Sequence, residues 1–118
     1  MAALRLPKAA RLSRRADFHA VREQGNSWHG RLIVLGGLRT DETGAAKLGV
    51  ITTRRVGSAV ERTRLRRRLR EVFRLQRPLL PAGLWMVIVP RRAAVNAQFA
   101  ALAEEWRVLS VRAGFLKA

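Results

Sequence analysis

With 118 residues and a 48% apolar content, the chain can bury one hydrophobic core, and a single domain over residues 1–118 is expected. Its 24 basic residues face 8 acidic ones for a net charge of +16, but the apolar content excludes a disordered polycation. No cysteine is present, which excludes disulfides, thiolate metal sites and a cysteine nucleophile.

Only Lys8, Lys47 and Lys117 are lysines, so almost all the positive charge is arginine. A solvated surface could use either residue. The planar arginine fork pairs with two phosphate oxygens and stacks on bases, which points to phosphate recognition. The longest wholly apolar run, Leu84 to Val89, falls far short of the about 20 residues that span a membrane. The N-terminus lacks the apolar core of a secretory signal; although it shares an Arg-rich, acid-poor composition with transit peptides, a cytoplasmic protein is expected. Residues 1–10 are expected to form a flexible basic arm.

In chain order, Ser13 is expected to cap a helix through about Gln24, carrying Phe18 and Val21 on one face, with Gly25 as a left-handed stop. Arg31 to Leu38 reads as a strand, Thr40 to Gly44 as a turn, and Lys47 to Thr53 as a second, β-branched strand. Trp28 falls on a short strand or edge leading into the first. Ser58 and Glu61 have capping-box spacing, and Leu65, Leu69, Val72 and Phe73 follow as an apolar helical stripe that Pro78 must end. Leu84 to Val89 has the continuous apolar character of a strand buried on both faces. Asn96 is expected to cap a last helix bearing Phe99, Leu102, Trp106 and Leu109, stopped near Gly114. Helix, strands, helix, strand, helix makes a compact α/β or α+β sandwich.

The segment Glu61 to Arg74 holds seven arginines in fourteen residues. On a helix Arg62–Arg66, Arg66–Arg70, Arg70–Arg74 and Arg64–Arg68 are like-charge neighbours, each destabilising by about 0.2–0.5 kcal/mol. A solvated amphipathic helix ordinarily mixes signs; here mixing is nearly absent, so the helix is read as built to lie along a polyanion. An anionic membrane is the weaker candidate, because the apolar stripe is needed to cover the strands. DNA and RNA remain.

Leu48 to Arg74 resembles the protein subunit of bacterial ribonuclease P. The family pattern is a strand ending in paired basic residues, then Gly, Ala-Val, Arg-Asn-Arg, a basic pair and Arg-Glu. Arg54-Arg55, Gly57, Ala59-Val60, Arg62-Thr63-Arg64, Arg66-Arg67 and Arg70-Glu71 stand at the matching spacing. Arg11 to Gly25, with Asp17-Phe18, Val21 and Gly25, is similar to the family's opening helix, and Trp85 to Ala94 to its last strand and basic turn.

The resemblance implies a two-layer α/β (α+β) sandwich of the ribosomal-protein type, with a mixed sheet of about four strands, three helices and a left-handed βαβ crossover. From handedness rules alone the crossover would be right-handed. It implies a protein that binds the ribonuclease P RNA and the 5′ leader of precursor tRNA, one protein to one RNA, and promotes leader removal. Arg62, Thr63, Arg64, Arg66, Arg67 and Arg70 would contact the RNA subunit. Phe18, Arg22, Val34, Arg54, Arg55 and Arg91 would contact the leader, in a cleft between the first helix and the sheet. Thr63 replaces the usual Asn, and Arg22 and Gly36 replace aromatics, so the cleft should rely less on stacking and more on charge. Leu84 and Pro90 stand where an aspartate and an arginine are frequent.

On sequence alone Phe18 is either core or cleft; the resemblance favours the cleft. Trp28, Trp85 and Trp106 read as packing residues, and His19 and His29 as isolated structural or surface residues. No catalytic side chain and no protein metal ligand is identified, so the protein alone is not expected to be a catalyst. Mg²⁺ is expected to be held mainly by the RNA subunit. The alternative is a ribosomal or ribosome-associated structural RNA-binding protein without a catalytic role. A DNA-binding architectural protein is disfavoured, since no helix-turn-helix spacing or minor-groove wedge is present.

Overall fold

The computed structural model describes residues 5–118. Three helices, α1 (Arg15–Gln24), α2 (Ala59–Gln76) and α3 (Phe99–Arg112), pack on four strands, β1 (Asn26–His29), β2 (Ile33–Arg39), β3 (Lys47–Val50) and β4 (Leu84–Pro90). The sheet order is β1-β2-β4-β3. β1 and β2 form an antiparallel hairpin, β2 pairs antiparallel with β4, and β3 lies parallel to β4. The parallel pair is joined through α2, which makes the expected βαβ unit.

Alternation decides which side of each strand meets which helix. Ile33 and Leu35 of β2, Leu48 of β3 and Leu84, Met86 and Ile88 of β4 point to the main core, shared with α2 and α3. Leu65, Leu69, Val72 and Phe73 of α2 and Leu102, Trp106 and Leu109 of α3 fill it. The opposite face carries a smaller cluster of Leu12, Val21 and Val87, with Phe18, Leu38, Trp85 and Val89 packed on it. There α1 covers only part of the sheet. β4 is therefore fully buried on one side, whereas Trp85 and Val89 on the other stay half-buried, short of the burial on both faces expected from its apolar run.

α2 begins as predicted. Ser58 Oγ accepts the Glu61 N–H at 3.1 Å, and the Glu61 carboxylate accepts the Ser58 N–H at 2.9 Å. That second bond, more than any nearby cation, holds the Glu61 carboxyl below the ordinary carboxylate range. The helix stops at Gln76, and Pro78 sits in a 3-10 turn over Arg77–Leu79. Gly114 takes the left-handed conformation (φ +82°) just beyond α3.

Several local expectations are corrected. Arg14, not Ser13, precedes α1, and no side chain caps it. The chain there is still tied to the sheet edge, with the Leu12 N–H donating to Leu48 O at 2.8 Å, so the helix starts later. Gly25 is extended (φ −94°) rather than left-handed; a side chain there would run into the carbonyl oxygens of Gly37 and Val21. The strand expected through Thr53 ends at Val50, and the one expected from Arg31 starts at Ile33. Gln98, not Asn96, precedes α3, again without a side-chain cap, because Asn96 lies inside a turn that the Ala97 N–H closes on Ala94 O at 3.2 Å.

The basic arm also differs. Residues 1–4 lie outside the described residues, but 5–12 are packed rather than free. Leu6 is 3% exposed and Ala10 fully buried in the core, and Arg11 bridges to Leu48 at the sheet edge. The Arg11 guanidinium donates to Leu6 O at 3.1 and 2.9 Å, folding the segment on itself. Apolar residues alternating with the charges hold the segment down.

Leu69 is fully buried at the centre of the α2 stripe and Val60 is 79% exposed on the same helix. Leu69→Ala should cost about 2–5 kcal/mol in urea unfolding, whereas Val60→Ala should stay within about 0.5 kcal/mol.

Candidate nucleic-acid interface

Where α1 leaves the sheet uncovered there is a cleft of about 830 Å³. Its wall is one side of α1, on which Arg15, Phe18, His19 and Arg22 follow helical spacing. Its floor is the even side of β2 and the odd side of β4, where Val34 pairs with Val89 and Gly36 with Val87. Asn26 and Ser27 of β1 close one border, and Ile51, just past β3, the other. The floor is aliphatic and the rim cationic.

Phe18 is both core and cleft. Its ring lies against Gly49 of β3, where any Cβ would collide with it, and its exposed part lines the cleft. On its other side it borders a second groove of about 420 Å³, lined by Lys8, Arg11 and Arg70 among others. Arg22 and Val34 line the cleft as expected, but Arg54, Arg55 and Arg91 do not. Arg54 and Arg55 are exposed on the turn between β3 and α2, and Arg91 on the turn after β4. The Arg92 guanidinium donates to Val56 O at 3.3 Å, tying these two turns together. Arg54 and Arg55 thus stand past Ile51 and Arg91 beside the β1–β2 turn, all three outside the residues that line the cleft.

On α2 the arginines divide by their partners. Arg62 donates to Gly57 O at 2.8 Å. Arg66 donates to Thr52 Oγ1, and at 3.1 Å to Thr63 Oγ1. Thr63 therefore orients an arginine through its hydroxyl, a role that an amide is not needed for. Arg74 pairs with Glu71 at 2.6 Å. Among the described residues Arg64, Arg67, Arg68 and Arg70 have no hydrogen-bond acceptor. Burial, then Arg11 and Arg66 nearby, lowers the Arg70 pKa, and burial followed by Arg64 lowers that of Arg68. Both shifts mark cations crowded without counter-charge.

Sequence reasoning missed Arg15, His19, Ser27, Ile51, Val87 and Val89 in the cleft. The signal for the first two was present: Arg15, His19 and Arg22 repeat at helical spacing beside Phe18. The strand residues could be assigned to the cleft only once the β2–β4 register was known. His29 is not isolated. Its Nδ1 lies 3.4 Å from Arg91 Nη2, and since arginine only donates, Nδ1 accepts. The tryptophans pack: Trp106 is buried with its N–H on Met86 Sδ at 3.2 Å, Trp28 meets Phe115 edge-on at 5.3 Å, and Trp85 donates to Glu42.

Most carboxylates are already engaged. Glu61 completes the cap, Glu71 and Glu104 hold Arg74 and Arg107, Glu42 holds Trp85 and Lys47, and Glu105 accepts backbone N–H groups. Among the described residues no three His, Asp or Glu side chains gather as a metal site. Among the described residues no helix is long and apolar enough to cross a membrane.

Comparison with known proteins agrees with this geometry. Residues 6–114 match the family model for ribonuclease P. The chain is 36% identical to the ribonuclease P protein component of Symbiobacterium thermophilum over 112 residues, covering 95% of this chain and 97% of the relative. It is 41% identical to that of Acidothermus cellulolyticus over 103 residues, 86% of this chain and 85% of the other. Among solved structures, the RNase P protein of Staphylococcus aureus superposes with a TM-score of 0.84 at 22% identity, over 93% of this chain and all of that one, a likeness of fold. The RNase P protein of Thermotoga maritima gives 0.74 at 27% identity, over 84% and 94%. A cleft beside an arginine helix, on this sheet order and with relatives spanning nearly the whole chain, makes this protein a member of the ribonuclease P protein family, whose function is tRNA 5′-end processing.

Proposed function

We propose that this chain acts in the ribonuclease P holoenzyme through two surfaces, the arginine side of α2 for the RNA subunit and the α1–sheet cleft for the 5′ leader of precursor tRNA. One observation carries the reading: the two surfaces are contiguous. Ile51 lines the cleft, Thr52 holds Arg66 of α2, and Arg54 and Arg55 stand on the same connection. A single RNA strand leaving the cleft therefore meets arginines shared with the RNA-facing helix. A purely structural RNA binder has no need of a second cleft beside its basic helix.

In this reading Arg64, Arg67 and Arg70 pair with phosphates, and Arg62, Thr63 and Arg66 form a row set by its own hydrogen bonds. In the cleft, Phe18 stacks on a base while Arg15 and Arg22 meet phosphates across an aliphatic floor. Arg54, Arg55 and Arg91 receive the strand where it leaves. Hydrolysis belongs to the RNA subunit, with Mg²⁺ held on RNA phosphates; the protein lowers electrostatic repulsion and orients substrate. One protein with one RNA, in the cytoplasm, is the expected assembly.

Adding the protein to ribonuclease P RNA at low Mg²⁺ should restore processing of precursor tRNA; no stimulation would refute the reading. The paired change Arg64→Ala and Arg67→Ala should weaken RNA-subunit binding and lower the log–log salt slope by about one for each phosphate no longer neutralised. Phe18→Ala should weaken binding of leader-bearing precursor by about 1–3 kcal/mol and leave mature tRNA nearly unaffected, measured by equilibrium titration of the holoenzyme.

A further inference from the structure

Glu105, on α3, is a carboxylate with three backbone partners and, among the described residues, no cation at ion-pair distance. Its Oε1 accepts the Arg31 N–H at 3.1 Å, and its Oε2 accepts the N–H groups of Leu32 and Ile33, both at 2.7 Å. These belong to the turn joining β1 to β2. Gly30 begins that turn, and a Cβ there would run into the Glu105 carboxylate. The far side of the turn is held by one residue, Arg91. Its Nε donates to Gly30 O at 2.9 Å and its backbone N–H to Leu32 O at 2.8 Å.

The pairing is specific at the level of peptide groups. Gly30 C=O and Arg31 N–H belong to one peptide, and Leu32 C=O and Ile33 N–H to another. Each of these two peptides therefore donates to Glu105 and accepts from Arg91. Hydrogen bonds in series polarise one another, so the negative charge of Glu105 strengthens both carbonyls as acceptors for Arg91. A glutamate and an arginine that do not touch are coupled through two peptide dipoles.

We propose that Glu105 is a positioning residue for Arg91, holding its guanidinium in one orientation to receive a phosphodiester of the single strand leaving the cleft. This rests on the leader reading given above. With Nε fixed on the turn and Nη2 directed towards His29, Arg91 Nη1 is left without a partner among the described residues. An arginine held this way loses little side-chain freedom on meeting a phosphate, so its contribution to binding rises without any additional hydrogen bond.

The test uses reconstituted holoenzyme and the ratio of affinities for leader-bearing and leaderless tRNA. Arg91→Ala should lower that ratio by about tenfold or more, the worth of one charge-assisted hydrogen bond. Glu105→Gln keeps the shape but turns a donor towards the turn, and should lower the ratio by a similar factor without altering RNA-subunit affinity. The double variant should lose no more than Arg91→Ala alone. Losses that multiply, or a Glu105→Gln ratio equal to the wild type, would overturn the coupling. A second measurement covers the case in which Glu105→Gln fails to fold. In the wild-type chain the Arg91 Nε–H should exchange with solvent more slowly than that of exposed Arg54, and an equal rate would overturn the pin. If Arg91→Ala leaves the ratio unchanged while its Nε–H is protected, the leader reading of Arg91 fails and with it the proposed role, although the pin itself stands.

Discussion

α2 must bury four apolar side chains against the sheet while carrying seven arginines around the rest of its circumference. Leu65, Leu69, Val72 and Phe73 fix how the helix is rotated, and this rotation alone decides where each guanidinium goes. Two acids sit on the helix. Glu61 is spent on the cap, so only Glu71 offsets a cation directly. The remaining crowding is spread outward: Arg62 and Arg66 turn back onto the β3–α2 connection, while Arg11 and Lys8 add further charge beside Arg70. The helix stands because core burial outweighs this repulsion of about 1–2 kcal/mol. A polyanion would remove the repulsion, so the same arrangement that weakens the free helix favours the complex.

Most of that was legible because helices announce themselves locally. The capping box, the stripe and Pro78 lie within one segment, and all three are where the spacing puts them. What failed was what depends on distant partners. Ser13 loses its cap because Leu12 is paired to Leu48, and Asn96 loses its own because it is enclosed in the turn that Ala97 closes on Ala94. The supposed free arm from Arg5 to Ala10 is packed because Leu6 and Ala10 reach a core built from residues far along the chain.

The site divides in the same way. Phe18, Arg22 and Val34 lie in the cleft, and the resemblance to a known family supplied them; composition and periodicity did not. Val87 and Val89 could not be found without the β2–β4 register, which turns every second residue of an evenly apolar strand towards the cleft. The same resemblance also placed Arg54, Arg55 and Arg91 in the cleft, yet each sits on a turn outside its lining. Charge says that a residue meets a phosphate, whereas only the fold says which one.

The cleft's chemistry follows from what stands in place of aromatic side chains. Gly36 leaves the floor open, and Arg22 adds charge to the rim where an aromatic ring would add a stacking surface. Phe18 then carries the only benzene ring among the described residues lining the cleft, beside the His19 imidazole, and it lies against Gly49. On the proposed reading a single stacked base and several phosphate contacts share the work. Stacking accepts any base, and phosphate contacts carry no sequence information. Such a surface grips a strand without reading it, and its grip weakens steeply with salt. A rigid exit then matters more than one further cation, because an arginine binds a phosphate best when it is already in place. The turn between β1 and β2, clamped by Glu105 on one side and occupied by Arg91 on the other, provides that rigidity using backbone groups that no solvent-facing substitution elsewhere on the rim could replace.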